Sequence, residues 1–230
     1  MYENGNGSKR RWWTMPWARP RKTEEDLAAY RRLALQLHYD LPQGQASRSV
    51  LVVTPDVSPL SARSSLNLAL CLTELLGRRV LLVDACPTTP ELSRHLGGDP
   101  AVGFAEYITN ADRPLEPLVL PASIPNLSFL PAGEQGGGPA SPERISQLLA
   151  GAAQQHDFLL LAGGSVLNNP FALALAPFVG CVLLAVTEHQ TTLDDLDDAQ
   201  TTLEHCKARS VRLLLATPVG RGFALPQGDH

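Results

Sequence analysis

The sequence predicts a doubly wound α/β fold, a mostly parallel sheet with helices on both faces. Three observations carry that expectation. Six short apolar runs, at 50–54, 80–84, 127–130, 158–162, 181–186 and 211–216, lack the polar alternation of a half-exposed strand, as parallel strands covered on both faces do. Helical patterns at about 61–76, 142–155, 170–176 and 193–207 separate most of them, and strand-helix alternation on this scale is the signature of a wound parallel sheet. The 230 residues, 44% hydrophobic and 18% charged, suit one globular domain with a tail.

The elements follow in order. A first helix is predicted from Thr23, with Glu24, Glu25 and Asp26 in its opening turn and Leu27, Tyr30, Leu33, Leu35, Leu37 and His38 carrying it towards Pro42 and Gly44. The run at 50–54 then leads through a loop into a helix containing Asn67, Leu68 and Ala69. A short helix around 104–108 and one more strand over 115–120 are expected before the run at 127–130. The glycine-rich stretch 133–139 reads as a surface loop. The chain divides into a basic Trp-rich tail (1–22), an N-terminal helix and linker (23–46), the α/β domain (47–219) and a C-terminal tail (220–230).

Charge is polarised along this plan. Lys9, Arg10, Arg11, Arg19, Arg21 and Lys22 stand against Glu3 alone, so the tail is +5, and the formal −4 of the whole chain leaves −9 for the rest. Trp12, Trp13 and Trp17, all the tryptophans of the protein, lie among those bases. Indoles favour the headgroup level of a bilayer, and each base near an anionic surface adds about 1 kcal/mol. Pro16 and Pro20 argue for an irregular interfacial anchor rather than a helix. A basic tail that docks on a protein partner is the other reading. Nucleic acid is not expected, because the domain behind the tail is acidic. No apolar stretch reaches the roughly 18 residues of a membrane span. Cys71, Cys86, Cys181 and Cys206 form no C-x-x-C pair and no secretory segment is recognised, so reduced thiols and no metal site are expected.

The loop after the first apolar run occupies the place of G-x-x-x-x-G-K-[ST], where glycine amides and a lysine cradle phosphates. Here it reads Pro55-Asp56-Val57-Ser58-Pro59-Leu60-Ser61-Ala62-Arg63-Ser64-Ser65, without glycine or lysine. Further phrases in order are Val80-Leu81-Leu82-Val83-Asp84-Ala85 with Pro90-Glu91-Leu92 and Leu96-Gly97, then the stretch from Asn126 to Gly133, Ser141-Pro142-Glu143, His156-Asp157-Phe158-Leu159-Leu160-Leu161, and Ala172 to Pro177 leading to Val182-Leu183-Leu184-Ala185-Val186. Together, over about 27–219, they resemble the bacterial tyrosine kinases, ATPases encoded with capsule and exopolysaccharide systems and belonging to the deviant Walker-motif group.

The resemblance implies a P-loop NTPase-like fold and a defined set of motif positions. Its kinases place G-[ED]-G-K-[ST]-T six residues before Asn-Leu-Ala. Anchored on Asn67, that puts Ser61 at the lysine, Ala62 at the magnesium-binding hydroxyl, and Ser58 and Leu60 at glycines. The second motif keeps Asp84 but has Cys86 for its second carboxylate, and the third has Ala162 for its aspartate. Arg63-Ser64-Ser65 offers another register, but it needs two residues deleted before Asn67, a rotation of about 200° on the helix, and recovers no glycine. The family's tyrosine tail is absent after Tyr107, and of its E-x-x-R-x-x-R pattern only Arg31 matches.

Phosphoryl transfer rests on positioning and charge stabilisation, so these replacements predict a pseudoenzyme with no catalytic residue and no cofactor. By resemblance its partner is a membrane polysaccharide copolymerase or an active kinase paralogue, in a homo- or hetero-oligomer. The expected location is cytoplasmic, peripheral to the inner membrane. Two alternatives stand: an active ATP-dependent tyrosine autokinase using ATP and Mg, and a relative of the septum- and pole-positioning ATPases without a nucleotide cycle.

Overall fold

The computed structural model describes residues 24–42, 48–97, 102–110, 112–134 and 138–216. The tails at 1–22 and 220–230 lie outside the described residues. In chain order the elements are α1 (Glu24–Asp40), β1 (Ser49–Thr54), α2 (Leu60–Glu74), β2 (Val80–Asp84), α3 (Glu91–Leu96), α4 (Phe104–Thr109), β3 (Leu120–Pro121), β4 (Leu127–Leu130), α5 (Pro142–Gln155), β5 (Phe158–Ser165), α6 (Pro170–Leu175), β6 (Cys181–Thr187), α7 (Leu193–His205) and β7 (Val211–Ala216). The sheet runs β3-β4-β2-β5-β1-β6-β7. Every pairing is parallel except β3 with β4.

Side chains alternate through the sheet into two apolar layers. Leu51, Val53, Leu81, Val83, Leu159, Leu161, Val182 and Leu184 face α4, α5, α6 and α7. Val50, Val52, Val80, Leu82, Leu160, Cys181 and Leu183 face α1, α2 and α3. Both faces of β1 are therefore dry, which is why its sequence shows no polar alternation. Local signals set the helix starts: Ser141 caps α5 ahead of Pro142, Asn169 caps α6 ahead of Pro170, and Thr192 forms a capping box with Asp195 in α7. Gly77, at φ +60, turns the chain out of α2.

Three expectations need correction. The strand predicted over 115–120 is a 3-10 turn, Glu116–Leu118, followed by the two-residue antiparallel β3. Pro117 and Pro121 leave no amide for a longer ladder. The short α3 was not predicted, since six residues carry too little periodicity. The run at 211–216 is not covered on both faces: β7 ends the sheet, and Val211, Leu213 and Leu215 are exposed.

Arg144 is a buried charge with no signal in the spacing. Its guanidinium sits 3.8 Å from the Tyr107 ring centroid, donates to the Tyr107 carbonyl at 3.0 Å and also to the Arg113 carbonyl and Gln147. It ties α5 to α4 and the loop beyond, a hydrogen bond from each of its three nitrogens offsetting its desolvation.

Candidate functional site

The loops after β1, β2 and β5 meet at the C-terminal ends of these neighbouring strands, where ligands of open α/β sheets bind. Asp84 and Ala162 are register partners across β2 and β5, and Ala162 also pairs with Val52 of β1. Past Ala162 the register slips by one residue, Val53 pairing with Gly164, so Gly163 is the extra residue of a bulge. A Cβ on Gly163 would lie 2.9 Å from a Leu51 methyl, and one on Gly164, at φ +64, would lie 2.6 Å from Cys86 Sγ. The two glycines let β5 pass between the β1 core and the loop after β2.

Ser61, in the first turn of α2, is buried and points into this junction. Its hydroxyl donates to the Val52 carbonyl at 2.7 Å and accepts the Gly164 amide at 3.0 Å. The loop before it is fastened at further points. Ser165 donates to the Pro55 carbonyl at 2.8 Å, the Val166 amide to the Thr54 carbonyl at 2.8 Å, and Thr54 Oγ1 to the Asp56 carbonyl at 2.8 Å. The Leu60 amide donates to Ser58 Oγ at 3.2 Å, while Pro59 before it has no amide hydrogen. Ala62 and Arg63 are half-buried along α2.

Asp84 closes β2 with 1% exposure. Its Oδ2 accepts from the Ser93 amide and hydroxyl, both at 2.8 Å, and its Oδ1 from the Cys86 amide at 3.4 Å. Burial pushes its carboxyl up to about 6, against the opposing pull of the Ser93 and Cys86 hydrogen bonds. Ser93 in turn accepts the Ala132 amide at 2.8 Å, coupling α3 to the segment after β4. Cys86 is buried, its Sγ 3.0 Å from Thr89 Oγ1. Asn169 donates to the Ala85 and Gly163 carbonyls at 2.8 and 2.7 Å while capping α6.

Ser61, Asp84, Cys86 and Ala162 thus converge at one junction, while Val57 and Asp56 stay exposed on the loop. Ser58, Leu60, Ala62 and Arg63 flank it along the loop and the first turns of α2. The basic and tryptophan residues from Lys9 to Lys22 lie outside the described residues. Ser93, Ser165, Gly164 and Asn169 are structural members that the sequence reading missed. Asn169-Pro170 was a legible helix start, whereas the partners of Ser93 and Ser165 are set by tertiary contact alone. Among the described residues no group of three or more His, Cys, Asp or Glu could hold a metal ion. Among them, no helix is long and apolar enough to cross a membrane.

No protein-family model matches the chain. In sequence it is 29% identical over 166 residues to a putative tyrosine-protein kinase EpsB of Ralstonia nicotianae and 27% identical over 187 residues to one of Ralstonia solanacearum, covering 70% and 79% of this chain. It spans only 22% and 24% of those relatives' lengths. In fold it matches the kinase domain of Escherichia coli tyrosine kinase ETK, with a TM-score of 0.72, 18% identity and coverage of 89% and 80% of the two chains. The BceF tyrosine kinase domain matches with a TM-score of 0.66, 23% identity and coverage of 81% and 76%. The MinD septum site-determining protein of Pyrococcus horikoshii, solved with Mg-ADP, shares the fold at a TM-score of 0.60 and 21% identity over 73% of this chain and 69% of its own. The chain is thus similar in sequence to these putative tyrosine-protein kinases and shares its fold with the tyrosine kinase domains of ETK and BceF.

Proposed function

We propose that the chain is a catalytically inactive, tyrosine-kinase-like adaptor or regulator of bacterial exopolysaccharide or capsule biosynthesis. It acts at the inner membrane with a polysaccharide copolymerase or an active kinase paralogue. The observation that carries this reading is Ser61. At the position aligned with the phosphate-binding lysine, a short hydroxyl is committed to the Val52 carbonyl and the Gly164 amide. It brings no charge to a β/γ-phosphate.

The surrounding donor set does not fit a magnesium nucleotide. Pro59 has no amide hydrogen, the Leu60 amide is engaged by Ser58, and the Cβ atoms of Ser58 and Leu60 stand where the aligned glycines allow close backbone approach. Cys86 and Ala162 supply no carboxylate for the metal, and Asp84 is committed to Ser93 and Cys86. No step of phosphoryl transfer is therefore assigned to these residues, and Asp84 serves to hold α3 and the segment after β4.

The test is an autophosphorylation assay with radiolabelled ATP and Mg, on the chain alone and mixed with an active kinase paralogue. The reading expects no label on the chain and a changed rate of labelling on the paralogue. Label accumulating on the isolated chain would contradict inactivity, and an unchanged paralogue rate would contradict a regulatory role towards it.

A further inference from the structure

Among the described residues, the apolar face of the edge strand β7 is left without cover. β7 pairs with β6 so that Val211, Leu213 and Leu215 lie beside Val182, Leu184 and Val186, on the side of the sheet covered by α7. Ala199 and Leu203 of α7 bury the β6 residues. The β7 residues beyond them remain 37%, 55% and 60% exposed, and Leu193 at the start of α7 is 82% exposed. Exposed large aliphatics at every second position of an edge strand are a liability that folded proteins normally cover or break with charge. The single charge in β7, Arg212, points to the other face, where it pairs with Asp40 of α1 at 2.8 Å. The first two turns of α7, the helix on this side of the sheet, carry exposed Asp194, Asp197 and Asp198.

We propose that this patch is the docking site of the chain's own N-terminal segment, residues 1–23. This inference goes beyond the functional reading above and does not depend on whether the nucleotide loop is active.

Two arguments choose that occupant. The first is complementarity: residues 1–22 carry a +5 balance and Trp12, Trp13 and Trp17, while residues 23–230 carry −9. Indole rings cover aliphatic side chains well, and interleaved bases answer the exposed carboxylates of α7.

The second is position. α1 ends with Asp40 on Arg212, near the start of β7, while Tyr30, further back, shares a 2.9 Å hydrogen bond with Ser64 in the second turn of α2. α2 begins at the C-terminal ends of the strands, so α1 runs from that end of the sheet and the preceding segment leaves it there. Leu215 and the first turn of α7 lie at the same end, β6 and β7 being parallel and α7 following β6. Trp17 is seven residues from Glu24, a reach of about 23 Å when extended, enough to cross the sheet edge to the far face.

Because every tryptophan of the protein lies in that segment, indole fluorescence reports on it alone. The experiment compares the full chain, a peptide of residues 1–23, the double variant Leu213→Thr/Leu215→Thr and the triple variant Asp194→Asn/Asp197→Asn/Asp198→Asn. No lipid is present, and circular dichroism checks the fold of each. Threonine keeps the strand preference while removing the apolar surface. The full chain should emit to the blue of the peptide, with an acrylamide quenching constant at least about twofold lower, as indoles seated against aliphatic side chains require. Both variants should move towards the peptide, and the full-chain signal should be unchanged on dilution.

Emission equal to that of the peptide, or a blue shift that survives both sets of substitutions, would overturn the proposal. A signal that fades on dilution would reject docking within one chain in favour of a second copy. A blue shift that arises only when vesicles of phosphatidylcholine and phosphatidylserine are added would assign the segment to the membrane instead.

Discussion

Asp84 gives the site a pH dependence whose sign is opposite to that of an ion-paired carboxylate. Its carboxyl sits at about 6 in the folded chain against an ordinary value of 3.8. Below pH 3.8 both the folded and unfolded chains hold the proton, and the folded preference for the neutral form contributes fully to stability. Between the two values the unfolded chain releases its proton first and binds fewer, so stability falls as pH rises. Above about 6 the contribution is gone. The whole change is about 3 kcal/mol, at about 1.4 kcal/mol for each pH unit between the two values.

In Asp84→Asn the side chain is neutral at every pH. Its carbonyl can still accept from the Ser93 amide and hydroxyl, and its NH2 faces the Cys86 amide at a constant cost. Urea denaturation of both proteins, followed by circular dichroism because the tryptophans lie in the tail, isolates the group by difference. From pH 4.5 to 7.5 the stability of the wild type should fall relative to the variant by about 2 kcal/mol. A difference that stays flat with pH, or that moves in favour of the wild type as pH rises, would refute the burial argument.

Ser61→Ala leaves the Val52 carbonyl and the Gly164 amide without their hydroxyl partner in a dry junction, which should cost about 1–3 kcal/mol and lower the urea midpoint without changing the slope. An unchanged midpoint would show that the hydroxyl fastens nothing. Gly164→Ala should destabilise both through its φ of +64 and through the approach of its Cβ to Cys86 Sγ. Cys86→Ala in the same chain should restore part of that loss, whereas strictly additive effects would contradict the contact. Anionic vesicles, but not neutral ones, should compete with the β7 patch for residues 1–22 and bring the chain down, less so as salt screens charge over about 8 Å. Cosedimentation that survives deletion of 1–22 would remove the anchor.

Much of the fold was legible because its strands are buried on both faces. The continuous apolar runs of β1, β2, β5 and β6 could be read directly. What escaped has a physical cause in each case. The stretch 115–120 has strand-like apolar content, but Pro117 within it and Pro121 just after it prevent a ladder. The periodicity that marks a helix cannot accumulate in the six residues of α3. β7 has the composition of a central strand, and only the topology places it at the edge.

The site was legible as a set of substitutions in ordered motifs, and the structure brings Ser61, Asp84, Cys86 and Ala162 to one junction. The way that junction is held was not legible. Ser61 meets Gly164 across 103 residues, Asn169 meets Ala85 across 84, and the bulge at Gly163 exists only in the pairing of β5 with β1. Such contacts leave no mark in local spacing.

Nucleotide binding by the loop 55–65 is measured by calorimetric titration of the full chain with ATP and ADP in the presence of Mg. A chain with Val57 to Arg63 replaced by Pro-Gly-Glu-Gly-Lys-Ser-Thr, together with Cys86→Asp and Ala162→Asp, is titrated beside it once its fold is verified. No saturable binding in the micromolar range is expected for the natural chain, and measurable affinity for the restored one. Saturable micromolar binding by the natural chain would contradict the proposed inactivity.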